Sequence, residues 1–117
     1  MNAADSRFLV MGLTGLVLRD LLETMQDRFP GLEPNTVTNE DEATTRVSQT
    51  SGWKYAFLNL GPDDFSKSNL AKLFEAVGTR VVLFGEAAEE AATNSAYPVL
   101  VRPFMPDDVF RLLDKNS

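Results

Sequence analysis

The stretch "YAFLNLGPDD", Tyr55 to Asp64, runs four apolar side chains straight into a lone amide, Asn59, and then into a Leu-Gly-Pro turn. Other apolar runs stop just as abruptly. "FLVM" stops at Gly12 and Leu13, "VVLF" at Gly85, and "YPVLV" at Arg102 and Pro103. What these ends can do is limited by what the chain lacks. It has no histidine and no cysteine. That removes the commonest general base, the commonest metal ligand, phosphohistidine, thiol nucleophiles and Cys-ligated zinc. Catalysis would fall to carboxylates, Lys, Arg, Tyr and hydroxyls. The run ends supply an amide, which hydrogen-bonds but is a poor nucleophile, a guanidinium and two glycines. Asp63 and Asp64 follow a few positions after Asn59.

For these ends to meet, the runs must lie side by side as strands. Phe8–Met11 reads as a buried strand, followed by a tight "GLTG" turn. From Gly15, the residues Leu18, Leu21, Leu22, Met25 and Phe29 recur on one helical face, and "PGLEP" stops that helix. "NTVT" (35–38) is a short polar strand candidate. Asn39 with Glu42 three residues on is a capping pattern for a second helix to about Thr50. "KYAFLNL" is the third strand. Leu70, Leu73, Phe74 and Val77 mark a helix that Gly78 is placed to end. "RVVLF" is the fourth strand, "EAAEEAA" a short helix and "YPVLV" the last strand. Pro106 opens a final helix with Asp107 and Asp108 in its first turn and Lys115 near its end, as the macrodipole favours.

Five strands alternating with five helices, and apolar strands joined by helical crossovers, imply a parallel sheet covered on both faces. The expected fold is α/β and flavodoxin-like, a (βα)5 three-layer sandwich with strand order 2-1-3-4-5. Pro34 and Pro98 support that order, because proline is tolerated in edge strands and strands 2 and 5 are the edges. At 117 residues the chain reads as one domain, 1–117. Its Met start and polar "DKNS" end suggest a full gene product. No apolar run approaches a membrane span, and no basic segment precedes an apolar one as in a signal peptide, so the expected location is cytoplasmic. The formal charge of −6, with 11 scattered Lys and Arg, argues against nucleic acid.

In an open α/β sheet, function sits outside the carboxyl ends of the strands. There the layout resembles the receiver domain of two-component response regulators, the CheY-like superfamily, over essentially the whole chain. "RPF" ahead of "MPDDVFRLL" is the most specific piece. "NLAKLFEAVGTRVVLFG" is similar in pattern to single-domain receivers of alphaproteobacterial type. The resemblance implies an acidic pair at Gly12 and Leu13, a phosphoacceptor Asp at Asn59, a hydroxyl at Gly85 and a lysine at Arg102, with Pro103 and Phe104 kept. Neither the three carboxylates nor the hydroxyl is present. Receivers hold Mg²⁺ with carboxylate and water oxygens and neutralise the transferring phosphoryl group with metal and lysine. The site therefore reads as a degenerate phosphorylation pocket, with no Mg²⁺ or other cofactor expected and no enzymatic activity. A two-residue shift of strand 3 would put Phe57 in the acceptor position instead. The resemblance also implies a cis Arg102–Pro103 peptide.

A non-phosphorylatable pseudo-receiver would act by contact. Its expected partner is a histidine kinase, a phosphotransfer protein or another regulator, with a homodimer through the same surface as a further expectation. In receivers the fourth helix, fifth strand and fifth helix form that surface. Here it would be carried by Glu89, Ala92, Tyr97, Val99, Asp107 and Arg111. Val99 stands where switching receivers often carry an aromatic rotamer switch, so with Gly85 the two-state coupling reads as disabled. The alanines at 88, 91 and 92 would leave an apolar patch beside Tyr97.

Two other functions stay open. One is a receiver phosphorylated at an unusual acceptor such as Asp63 or Asp64. The other is a small nucleotide- or anion-binding protein using the Gly12–Gly15 turn and Arg102, although Leu18 stands at the third glycine position of a dinucleotide fingerprint. Plainer readings compete at single residues. Arg102 could be a surface cation near Glu86 or Asp63, Trp53 half-buried packing, and Asp63 and Asp64 a solvated turn and helix cap.

Overall fold

Continuous apolar runs cannot leave one sheet face in water, and here both faces are covered. The computed structural model describes residues 6–114. Its strands are β1 (Arg7–Met11), β2 (Glu33–Val37), β3 (Trp53–Leu58), β4 (Arg80–Phe84) and β5 (Val99–Leu100), all paired parallel in the order 2-1-3-4-5. The helices are α1 (Gly15–Arg28), α2 (Glu40–Gln49), α3 (Pro62–Ser66), α4 (Asn69–Val77), α5 (Glu86–Glu90) and α6 (Pro106–Asp114). A 3-10 turn, Ala92–Asn94, follows α5. The flavodoxin-like α/β fold is thus the one observed.

Strand alternation sorts the core into two layers. Leu9, Met11, Ala56, Leu58 and Leu83 face Ala43, Val47, Leu70 and Phe74 of α2 and α4. Phe8, Val10, Tyr55, Phe57 and Val82 face Leu21 and Met25 of α1 and Val109 and Leu113 of α6. Asn39 caps α2 by accepting the Glu42 N–H at 2.9 Å, while the Glu42 carboxylate reaches back to the Thr38 N–H at 2.7 Å. Gly78 ends α4 in the left-handed region, at φ 76°.

Several local expectations are corrected. The third crossover carries two helices, because Ser68 interrupts it: its hydroxyl donates to the Phe65 carbonyl at 2.7 Å and accepts from the Ala71 N–H at 3.3 Å. Asp63 and Asp64 accordingly lie in the first turn of α3. The last strand is two residues long. Pro98, without an N–H, stays just outside it and offers only its carbonyl, to the Leu83 N–H at 2.9 Å. The Ser95 hydroxyl bonds the Tyr97 backbone at both its N–H and its carbonyl, turning that segment away from an extended course. β2 starts earlier than expected and includes Pro34 on the sheet edge. Trp53 is buried, at 3% exposure, with its indole N–H donating to the Thr50 carbonyl. Lys115 lies outside the described residues.

Candidate functional site

The sheet register brings the run ends together. Met11 is level with Leu58, Leu58 with Leu83, and Leu83 with Val99. Gly12, Asn59 and Gly85, each following one of the three central strands, therefore meet at one end of the sheet. The Asn59 N–H donates to the Met11 carbonyl at 3.1 Å, which ties the residue to the end of β1. Its side-chain Nδ2 donates to the Gly12 carbonyl at 3.0 Å. Phe57 is fully buried and packs edge-on against Phe8, with ring centroids 6.4 Å apart. It is Asn59, then, that stands at the strand end.

The two glycines are a condition of that placement. A Cβ on Gly12 would lie 2.8 Å from the Asn59 Cβ, and one on Gly85 would lie 2.9 Å from the Asn59 Cγ and overlap the amide oxygen. Gly12 and Gly85 also sit at φ 82° and 100°, where a side chain is strained. The Asn59 amide thus occupies the space that side chains at 12 and 85 would need. Leu13 turns away into the apolar cluster with α1 and α6.

This donor set does not fit Mg²⁺, which wants an octahedron of oxygens anchored by one or two carboxylates. Gly12, Leu13 and Gly85 carry no side-chain oxygen, Asn59 offers one neutral oxygen, and the Gly12 carbonyl already accepts from Asn59. Among the described residues no group of three His, Cys, Asp or Glu side chains could hold a metal.

Arg102 is engaged, but with neither Glu86 nor Asp63 as its hydrogen-bonded partner. Its Nε and Nη2 donate to the two carboxylate oxygens of Glu89 at 2.9 and 3.0 Å, and its backbone N–H donates to Glu89 Oε2 at 3.0 Å. Three charge-assisted bonds on one carboxylate stabilise its ionised form. The side-chain bond from Arg102 leads in lowering the Glu89 pKa from 4.5 to about 2, and the same pair raises that of Arg102. One ion pair therefore joins the expected pocket to the expected interaction face. Sequence reasoning named both residues but not their pairing, which requires β5 and α5 to be adjacent. The Arg102–Pro103 peptide is cis, as the resemblance implied.

The rest of that face is less free than its residue types suggest. Tyr97 is half-buried, its ring edge-on to Phe65 at 4.9 Å, and Val99 packs against the same core layer. Ala88 is fully buried and Ala91 and Ala92 half-buried, so the expected open alanine patch is mostly covered. Asp107 and Arg111 are exposed. Arg111 Nη2 donates to Asp108 Oδ1 at 2.9 Å, and Asp108 Oδ2 accepts the Met105 N–H at 2.8 Å. The Met105 bond, followed by the Arg111 one, holds the Asp108 carboxyl below its usual range.

No protein-family model matches the chain. No curated protein matches it either. Among solved structures, the solution structure of SdrG from Sphingomonas melonis Fr1 is similar, with a TM-score of 0.67 over 97% of this chain and 96% of that one. Sequence identity is 22%, so the likeness is one of fold. Together with the 2-1-3-4-5 order, it shows the flavodoxin-like α/β fold.

Proposed function

We propose that this chain is a degenerate receiver that does not take phosphate and works in two-component signalling as a protein-interaction module. The observation that carries the reading is the Asn59 amide seated between Gly12 and Gly85 and bonded to the Gly12 carbonyl. A neutral amide is a poor nucleophile, and the surrounding groups neither bind a divalent cation nor follow a phosphoryl group with a hydroxyl. The output is then a contact, made by the α5–β5–α6 face, with the exposed Asp107 and Arg111 foremost, with a kinase, a phosphotransfer protein or another regulator in the cytoplasm, or with a second copy. No chemistry, metal or cofactor is assigned to the chain.

The alternatives gain less support. Asp63 and Asp64 are exposed in the first turn of α3, and the one basic residue expected to serve a phosphoryl group is held by Glu89. A nucleotide-cradling turn needs free amides, but the Gly12 N–H already donates to the Val37 carbonyl at 3.0 Å.

Intact-mass analysis after treatment with acetyl phosphate and Mg²⁺ separates these readings. The expected result is no phosphoryl adduct on the wild type or on Asn59→Asp, since the single variant restores an acceptor without a metal site. An adduct on Asp63 or Asp64 of the wild type would establish the unusual acceptor. An adduct on the Asn59→Asp variant at residue 59 would mean that a working metal site survives near Gly12 and Leu13. Millimolar nucleotide is expected to leave the melting temperature unchanged, whereas a binder would be stabilised.

A further inference from the structure

At the amino end of β4, opposite Asn59, the sheet leaves a notch. Leu83 turns its peptide groups toward β5, and its N–H donates to the Pro98 carbonyl at 2.9 Å. Alternate residues of a strand face the same neighbour, so Val81 turns its own N–H and C=O to that edge as well. Leu83 is level with Val99, which would set Val81 level with Tyr97. There the ladder fails on both counts. The Val81 carbonyl would accept from residue 98, but Pro98 has no N–H. The Val81 N–H would donate to the Ala96 carbonyl. Instead the Ser95 hydroxyl holds Tyr97 by its N–H and its carbonyl, at 3.0 and 2.8 Å, and bends the segment away. Among the described residues neither Val81 group on this edge has a partner. The edge opens into a groove of about 550 Å³ between α4 and the segment before β5. Phe65, Phe74 and Tyr97 line it on the aromatic side, with the small Ala71 and Ala96 beside them. α5 and its 3-10 turn end at Asn94, too early to cover it.

We propose that this groove takes an extended apolar segment of a partner protein, which pairs its backbone with Val81. The choice of occupant follows from the floor of the groove. A peptide N–H and C=O on one edge are answered together by another extended chain, which brings an acceptor and a donor at matching spacing. A helix cannot answer them, because its backbone groups bond one another. The residue opposite Val81 would share its face of the sheet and so meet the aromatic side chains. Pro98 keeps the chain's own segment from closing the notch. Of the residues named for the α5–β5–α6 face, the groove shares only Tyr97. The pairing does not depend on whether residue 59 takes phosphate.

The test is amide hydrogen exchange and chemical-shift titration of the full chain by NMR. In the free chain Val81 is expected to exchange about tenfold or more faster than Val82 and Leu83, which lie in the ladder. The probe is a blocked pentapeptide, Thr-Val-Phe-Val-Thr. It is expected to slow exchange at Val81 and to shift the amides of Ala71, Val81, Ala96 and Tyr97. The same peptide N-methylated at its three central residues keeps the apolar side chains but loses the donors, and is expected to bind about tenfold more weakly. Ala96→Trp fills the groove from an exposed position and is expected to weaken binding of the unmodified peptide. Asp107→Lys/Arg111→Glu, on α6, is expected to leave it unchanged. Exchange at Val81 as slow as at its neighbours, absence of binding, or shifts centred on α6 would overturn the proposal. Equal binding of the two peptides would overturn it too, by giving the groove to side chains alone. So would slowing of Val81 exchange with protein concentration, which would give the notch to a second copy.

Discussion

A carboxamide has nearly the shape of a carboxylate, so under the proposed reading Asn59 stands in for a receiver's aspartate without disturbing β3. The difference lies in what surrounds it. An aspartate there would be drawn to cations, whereas the exposed Asn59 donates its Nδ2 to one backbone carbonyl and fits the room left at two glycines. The interlock is measurable. Gly85→Ala is expected to destabilise the fold by about 1–3 kcal/mol in urea denaturation, from the φ penalty plus collision with the amide. In an Asn59→Ala background only the φ part remains, so the cost falls. Equal costs in both backgrounds would contradict the interlock. Glu89 supplies a pH signature. Its folded pKa, about 2, lies below its ordinary value of 4.5. The pair's contribution is therefore present above pH 4.5 and lost as pH falls toward 2. A side-chain carboxyl NMR titration is expected to show that low midpoint, and Arg102→Ala to return it to the usual glutamate range. At this scale the sequence located Gly12, Asn59 and Gly85 at strand ends, and the register brings those ends together. The sequence did not reveal that Arg102 bonds Glu89, nor that Asn59 fills the space beside both glycines, because both depend on neighbours distant in the chain.

The elements that sequence periodicity located well are those long enough to show it. α1 and α4 present apolar residues at helical spacing, Gly78 ends α4 by its backbone conformation, and Asn39 marks the start of α2 by capping. The short elements escaped. α3 contributes one buried side chain, Phe65, which sets no period. β5 pairs through two residues, since Pro98 and the Ser95 turn limit its extension. Ser68 decides whether the third crossover is one helix or two. Removing its hydroxyl leaves the Phe65 carbonyl and the Ala71 N–H without their shared partner. Ser68→Ala is expected to cost about 1–2 kcal/mol, with faster amide exchange at Ala71. An unchanged denaturation midpoint would show that the two helices hold their ends without it.

For the whole molecule, strand order was legible because three central strands are apolar on both faces and the two proline-bearing segments belong at the edges. Order then fixes which strand ends converge, and so places Gly12, Asn59 and Gly85 together before any side chain is considered. What the fold does with that junction follows from its charge. Under the proposed reading, a junction without a carboxylate gives neither Mg²⁺ nor a phosphoryl mimic a foothold, and the output is a contact. An amide NMR spectrum of the chain, recorded with and without Mg²⁺ and beryllofluoride, addresses this without any mutation. The expected spectra superimpose. Shifts at residues 12, 59 and 85 would contradict the reading and mark the domain as a phosphate-responsive switch.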